Sequence, residues 1–221
     1  MKRIIFLFFL IIVVVFGAAW YSSQSLPSWY QQDVSQQEKL VEDLAQQINS
    51  KGIGEFLSSK IVDVMKGQLV LSEVEFNALL ISGLQSSDDG RRVMAVSDAI
   101  KAQLGDGDVE IGAVIDLEKV AQMNDDTRQA VENLSKALPL LNQSKIFLSV
   151  TGQPFAHNGE IRFGEDFSVK IGAMPISSKL LAQLGVPVHK ASESSLPLKY
   201  MSVKSIALRK GEVLLEVQPK F

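Results

Sequence analysis

The residue types that most often carry catalysis are scarce in this chain of 221 residues. It has no cysteine and only two histidines, His157 and His189. The lack of cysteine excludes a thiol nucleophile, a disulfide scaffold, an iron–sulfur cluster and any zinc site built on Cys ligands. Both histidines stand in polar or proline-containing contexts and lack the spacing of metal ligands. The sequence therefore predicts no catalytic residue, no metal site and no cofactor.

One acidic cluster, residues 106–110, resembles the start of a calcium-binding loop. Counted from Asp106 as position 1, position 6 is Ile111 where an EF-hand requires glycine, and position 12 is Leu117 where it requires glutamate. A solvated turn leading into a strand explains the cluster better. The GxSxG, HExxH, P-loop and GxGxxG motifs are also absent. We expect a non-enzymatic protein, with a hydrolase that gathers carboxylates around either histidine as an alternative.

Charge and hydropathy limit the class of partner. The formal net charge is −3, the hydrophobic share is 46% and the mean hydropathy is +0.14. The apolar content argues against a disordered chain, and the weakly acidic balance argues against binding to nucleic acid. The C-terminal part is locally basic, which a solvated β-sheet surface explains, with contact to acidic lipid as a secondary hypothesis.

The N-terminal segment predicts a membrane anchor. Lys2 and Arg3 precede an uncharged run of 18 residues, which would be about 27 Å long as a helix against about 30 Å for a hydrocarbon core. Trp20 and Tyr21 end the run, where interfacial aromatic rings are favoured, and the two cations hold the N-terminus in the cytoplasm. We expect a single-pass signal anchor over residues 1–21 in the inner or plasma membrane, with the rest of the chain outside the cytoplasm.

A cleaved signal peptide is the competing interpretation of this segment. Residues 17–19, Gly-Ala-Ala, have the small side chains of a cleavage site. The apolar run is longer than the ~7–15 residues of a typical signal core, and Trp20 follows the site directly. The length favours the uncleaved anchor. Residues 22–32 are uncharged and rich in Ser and Gln, and are predicted to form a linker.

Residues 33–221 are predicted to form a single extracytoplasmic α+β domain, because no internal repeat or composition shift divides them. Ser72 and Glu75 have the spacing of a capping box, which satisfies two backbone donors at a helix start. Residues 91–104 fit a helix and a strand equally well. In chain order, the patterns predict a helix at 33–50, a weakly alternating segment at 60–65, a turn at 66–67, a strand at 68–71, a helix from Ser72, a loop at 86–90, a turn at 106–107 and a half-buried strand at 109–117.

The second half of the domain is predicted mainly as β-strands. Asn-Gly at 158–159 and Lys-Gly at 210–211 are typical of hairpin turns. In chain order, the patterns predict a helix at 125–138, strands at 145–151, 160–163 and 167–171, a helix at 175–184 and a closing hairpin of strands at 201–208 and 213–217. Long antiparallel strands with several short helices are an α+β arrangement.

Three segments resemble a known family. Residues 71–80 join a strand end to a helix with an Asn-Ala-Leu-Leu core, residues 158–185 contain Asn-Gly-Glu-Ile and Phe-Ser-Val-Lys-Ile-Gly-Ala-Met-Pro, and residues 203–215 form the terminal hairpin. With the N-terminal anchor, they make residues 60–219 similar to YpmS-like membrane-anchored bacterial proteins and, more loosely, to tubular lipid-binding (TULIP-like) domains. The resemblance implies that the protein has no catalytic residues. It also implies an apolar groove that could hold an acyl chain. The fold class implied is α+β, an N-terminal transmembrane helix followed by a curved antiparallel sheet packed on several short helices.

The anchor, the strand-rich second half and the resemblance lead to a functional prediction. The leading hypothesis is a membrane-anchored extracytoplasmic protein that binds lipid or another apolar ligand in a groove of the curved sheet. The alternative is a tethered envelope module that docks another envelope protein and has no ligand. Each groove candidate also fits an ordinary core. The candidates are Val109, Ile111, Ile115, Leu117, Ile161, Phe163, Phe167, Val169 and Ile171.

Overall fold

The structure is a computed structural model that describes residues 26–31, 36–123, 125, 128–129, 131–132, 144–163, 167–176, 195–196 and 201–219. The anchor predicted at residues 1–21 lies outside these residues, as does much of the helix predicted at 125–138. Among the described residues, no helix is both long enough and apolar enough to cross a bilayer.

The described chain mixes helices with strands whose pairings are all antiparallel, so the predicted α+β class is confirmed. The helices are α1 Ser28–Gln31, α2 Gln36–Lys51, α3 Ile53–Ser58, α4 Ile61–Met65, α5 Glu73–Ser86, α6 Asp88–Val96 and α7 Leu117–Met123. The strands are β1 Gln68–Ser72, β2 Ser97–Leu104, β3 Val109–Asp116, β4 Lys145–Gly152, β5 Pro154–His157, β6 Glu160–Phe163, β7 Ser168–Ile171, β8 Met174–Ile176, β9 Ser195–Leu196, β10 Met201–Arg209 and β11 Glu212–Pro219.

The strands divide among three sheets instead of one. The orders are β1-β11-β10, β2-β3-β4-β7-β8 and β5-β6-β9. Three hairpins turn at glycines with positive φ, Gly107, Gly159 and Gly211, a backbone conformation that glycine adopts without steric cost. A bridge between Gly159 and Val203 links the third sheet to β10. The sequence predicts all three turns from their X-Gly pairs, and they are confirmed.

Helix α5 begins as its sequence predicts. The Ser72 hydroxyl accepts a hydrogen bond from the Glu75 N–H (3.3 Å), and the Glu75 carboxylate accepts one from the Ser72 N–H (2.9 Å). This reciprocal cap satisfies two backbone donors at the start of the helix. Phe76, Leu79 and Leu80 then pack on the main buried cluster. The cap therefore sets where α5 starts, and with it the position of the polar residues on its other side.

The weakly alternating segment predicted at residues 60–65 is wrong, because residues 61–65 form helix α4. Its first residue, Lys60, contacts two residues outside the segment. Lys60 Nζ donates to the Val70 carbonyl (3.2 Å) and pairs with the Glu75 carboxylate (2.7 Å). These contacts tie the start of α4 to β1 and α5, and a periodicity pattern does not contain them.

The loop predicted at residues 86–90 is also wrong, because α6 begins inside it. The Ser87 hydroxyl caps the helix by accepting from the Gly90 N–H (3.1 Å). A Cβ on Gly90 would lie 2.2 Å from the Leu84 carbonyl oxygen. This glycine therefore permits close approach of consecutive helices, whereas its Asp-Asp-Gly context is typical of a turn.

Three element boundaries differ from their predictions. The ambiguous residues 91–104 divide, since α6 ends at Val96 and β2 follows at once. The strand predicted at 109–117 loses its last residue, which begins α7. The helix predicted at 175–184 is wrong at its start, because Met174–Ile176 form β8. A proline is tolerated there because β8 is an edge strand.

Strand β3 has buried residues on both of its faces, whereas the sequence predicts a half-buried strand at 109–117 with one apolar face. On one face Val109 is buried in the main cluster. On the other, Val114 is fully buried against Trp29 and Phe147, whose rings meet edge to face at 5.9 Å. Trp29 belongs to α1, in the segment predicted as a linker, and it packs on the sheet with 8% of its surface exposed.

Candidate functional site

Five of the nine groove candidates lie on one face of the five-stranded sheet. Directly paired residues of antiparallel strands share a face. The register pairs Ile111 with Val150 and Val150 with Val169. The residues on this face include the candidates Val109, Ile111, Ile115, Val169 and Ile171.

The candidates nevertheless belong to two separate buried clusters. Val109, Ile111 and Ile161 pack in the cluster formed with β1, β10 and β11. Ile115, Leu117, Val169 and Ile171 pack in a second cluster with Ile146 and Ile176. Phe167 is half-buried just before β7, and the side chain of Phe163 lies outside the described residues.

A groove of about 430 Å³ lies elsewhere, along β2, and none of the nine candidates lines it. We call it the β2 groove. Its floor is residues 97–101 of β2, its walls come from α2 and α5, and α1 and the end of α6 bound it. Its volume is within the ~300–1,000 Å³ of ligand sites. Its walls mix apolar side chains such as Val41 and Ile81 with the carboxylates of Glu42 and Glu73.

The side chain of Asn77 occupies the outer edge of β2 at one end of this groove. Its Oδ1 accepts from the Ala102 N–H (2.7 Å), and its Nδ2 donates to the Ala102 carbonyl (2.8 Å). A carboxamide carries the same donor and acceptor as a backbone amide, so Asn77 stands where a neighbouring strand would pair. Asn77 is 4% exposed, which makes this pair of bonds costly to lose.

The next outer position of β2 is satisfied as well. The Leu104 N–H donates to the Glu73 carboxylate (3.1 Å), and the Leu104 carbonyl accepts from the Gly211 N–H (3.0 Å). The sequence predicts no role for Glu73 or Asn77. The available signal is a polar Asn inside the apolar Asn-Ala-Leu-Leu core of a helix.

The other end of the groove carries a charge cluster around Asp98. Its carboxylate pairs with Lys119 (2.7 Å) and Lys145 (2.6 Å). Hydrogen bonds from Lys119 and Lys145 lower the pKa of Asp98 to about 2. The bond to Asp98, and then the one to Tyr30, raise the pKa of Lys145 above its ordinary value. The Tyr30 hydroxyl accepts from Lys145 Nζ (3.1 Å), so the cluster also holds α1 against the sheet.

The cluster is electrostatic and structural in character. The side chain of Asp98 is 17% exposed, and both of its cationic partners come from other elements, α7 and β4. Within the described residues, no group of three or more His, Asp or Glu side chains is placed to hold a metal ion. His157 is exposed and its ring meets that of Phe155 at 6.4 Å, while His189 lies outside the described residues.

No protein-family model matches the chain, and no curated protein matches it in sequence. A function is therefore argued from the geometry of the β2 groove.

Proposed function

We propose that this protein is a non-enzymatic interaction module, tethered by residues 1–21 to the outer face of a membrane, that docks a partner protein in the β2 groove. The observation that carries the proposal is the groove itself, which borders an edge strand along its open part. Protein interfaces combine apolar contacts with a polar rim, and the mixed walls of this groove suit such a surface.

The wall chemistry favours a polypeptide over an acyl chain. Glu42 and Glu73 line the groove, and covering a carboxylate with hydrocarbon costs free energy unless a partner group replaces its water. A polypeptide supplies such groups through its amides and side chains. The lipid-groove candidates also pack in two separate clusters, so they offer less support for a single apolar channel.

The path of the chain supports a partner close to the membrane. The predicted anchor ends at Tyr21, and the described chain resumes at Leu26. Five residues span at most about 18 Å. Helix α1 follows directly and bounds the groove with Trp29 and Tyr30. A tethered domain of this kind therefore presents its groove near the bilayer surface, where an envelope protein is within reach.

Site-directed photocrosslinking in native membranes tests the docking. A photoreactive phenylalanine replaces Gln37, an exposed residue of α2 that lines the groove, and Arg209, an exposed residue of β10, serves as the matched control. We expect one defined protein adduct from position 37 and none from 209. Glu42→Trp, which fills the groove, should abolish the adduct.

The adduct counts as support only when the partner, identified by mass spectrometry and purified, binds the full-length chain and loses at least about tenfold in affinity with Glu42→Trp. Docking in the groove is contradicted by equal adducts from both positions, or by a purified partner that binds Glu42→Trp as tightly as the unmodified chain. The tether is tested separately. Carbonate-washed membranes should retain the full chain, and external protease should cut its domain. Release by carbonate contradicts the anchor without touching the groove.

A second candidate function, lipid binding on a curved sheet, is favoured by one observation. Val150 lies on the face shared by five of the candidates and is 44% exposed, although its neighbours there are apolar. Lipid that copurifies with the full-length chain in mild detergent, and that Val150→Lys removes, would support this candidate in native mass spectrometry. Repeated absence of lipid contradicts it.

A further inference from the structure

We infer that the partner enters the β2 groove as an extended peptide segment, which pairs with the backbone of β2 at Ile100 and places a basic side chain against Glu42 and Glu73. This inference rests on the proposed function and specifies its partner. It identifies the mode of recognition as strand addition to a sheet edge, in which main-chain hydrogen bonds supply affinity and flanking side chains supply selectivity.

The first step is the direction of the Ile100 backbone groups. The register pairs Ala102 with Ile111 and Ile100 with Ala113 of β3. Both backbone groups of Ala102 bond Asn77 on the side away from β3. Residues two apart in an antiparallel strand direct their N–H and C=O the same way. The N–H and C=O of Ile100 therefore point outward, into the groove that this residue lines.

The second step is that these two groups are open. Among the described residues, neither the N–H nor the C=O of Ile100 has a hydrogen-bond partner. An edge strand with an unpaired N–H and C=O is a template for another strand. The β2–β3 register shifts between Ser97 and Ala99, which ends the regular edge. The segment thus makes one close pair of hydrogen bonds, with Ile100.

Asn77 sets the register of the added segment. It fills the outer position at Ala102, so the segment must stop one pair short of that residue. Asn77 also shows which chemistry fits this edge, since its carboxamide pairs with β2 as a peptide group would. The Asn77 side chain and the incoming peptide group then lie side by side along one strand edge.

Charge selects the side chain that accompanies the pairing. Glu42 and Glu73 carry negative charge on the groove walls, and Lys101 also lines the groove with one positive charge. The negative charge of Asp98 is neutralised by Lys119 and Lys145, so the acidic charge of the walls exceeds the basic charge. A basic side chain of the segment gains from this field, and an acidic one is repelled. The partner is accordingly a protein with an extended, exposed segment that contains Lys or Arg.

The probe is a phage-displayed library of random heptapeptides, selected against the full-length chain in mild detergent. The decisive variant is Ile100→Pro, which removes the outward N–H and no ladder hydrogen bond, because proline is tolerated on edge strands at outward N–H positions. Ile100→Ala is its matched control, since it shortens the same side chain and keeps the N–H. We expect enriched peptides rich in Lys or Arg that lose at least about tenfold in affinity with Ile100→Pro and less than about threefold with Ile100→Ala.

Amide hydrogen exchange on the unmodified chain keeps the test independent of that proline. In the free chain the Ile100 amide should exchange at least about tenfold faster than that of Lys101, which points toward β3. A saturating enriched peptide should slow exchange at Ile100 by about tenfold or more. The same peptide with its basic residue changed to Glu should bind at least about fivefold more weakly.

Three results overturn the inference. They are an Ile100 amide already protected in the free chain, an enriched peptide that leaves its exchange unchanged, and a library that yields no peptide sensitive to Ile100→Pro. If Glu42→Trp still abolishes the adduct and weakens binding of the crosslinked partner, docking in the groove stands and only strand addition fails. If Glu42→Trp has no effect either, both proposals fail.

Discussion

The two halves of strand β2 differ in whether their outward backbone groups have hydrogen-bond partners among the described residues. At Ala102 and Leu104 the side chains are buried, and the outward backbone groups are satisfied by Asn77, Glu73 and Gly211. At Ser97–Lys101 the same edge forms the floor of a groove.

Helix α5 explains the difference between the two halves. Glu73 and Asn77 are one turn apart, and four helical residues advance about 6 Å, close to the ~6.6 Å of two strand residues. Successive turns of α5 can therefore serve successive outward positions of β2. The next residue in that series is Ile81, which lines the groove and has no side-chain hydrogen-bonding group. The comparison teaches that the chemistry of one helix face determines how much of a sheet edge stays open.

The largest expected effect comes from opening the closed half. Asn77→Leu leaves a buried N–H and a buried C=O of Ala102 without partners, at about 1–3 kcal/mol each. We expect the free energy of unfolding to fall by about 3 kcal/mol in denaturant titrations of the full-length protein. Gln85→Ala, on the same helix and at the groove, is the control and should cost less than about 1 kcal/mol. Equal losses from the two variants would show that Asn77 does not close the edge.

A smaller effect on stability is expected where Trp29 of α1 packs on the five-stranded sheet. A Cβ on Gly112 would lie 2.5 Å from Cε2 of Phe147, the ring that supports Trp29. Gly112→Ala should therefore cost about 2 kcal/mol through overpacking and disturb the groove boundary. Gly83→Ala is the control, because its Cβ meets nothing within 4 Å inside a helix, and it should stabilise the protein by about 0.5–1 kcal/mol. If Gly112→Ala does not change the free energy of unfolding, Phe147 and α1 must shift to accommodate the added methyl group without loss of stability.

The smallest effect concerns the charge cluster at the open end, and it depends on pH. The pKa of Asp98 in the folded protein, about 2, lies below its ordinary value of 3.8. Its contribution is therefore complete above about pH 4 and is lost as the pH falls toward 2. Asp98→Asn should remove up to about 1 kcal/mol at pH 7 and make the remaining acid unfolding curve flatter between pH 4 and 2.

Asp89→Asn is the control for that experiment. The Asp89 carboxylate meets Arg92 at 3.7 Å on an exposed face of α6, so its removal should leave the acid unfolding curve unchanged. Identical acid unfolding curves for Asp98→Asn and the unmodified protein would show that the charge cluster does not help to hold α1 on the sheet.

Local signals predicted much of the described fold. The capping box at Ser72 and the X-Gly hairpin turns depend on neighbouring residues, and they are found where expected. The patterns miss α4 and α6. Lys60 there contacts β1 and α5, and Gly90 lies against Leu84 of α5, and such contacts between elements are not part of a periodicity pattern. The candidate site was not predictable in the same way. Asn77 and Ile100 are 23 positions apart, and nothing in either segment signals that they share one sheet edge.

The sequence by itself determined the α+β class, the main hairpins and a chain poor in catalytic groups, since composition and short-range patterns carry that information. It also predicts the membrane anchor at residues 1–21. Only the tertiary structure decided which apolar residues share a cluster and which stretch of β2 is left open. Burial and edge pairing depend on long-range packing, in which α5 brings Glu73 and Asn77 to one end of β2 and leaves Ile100 facing a groove.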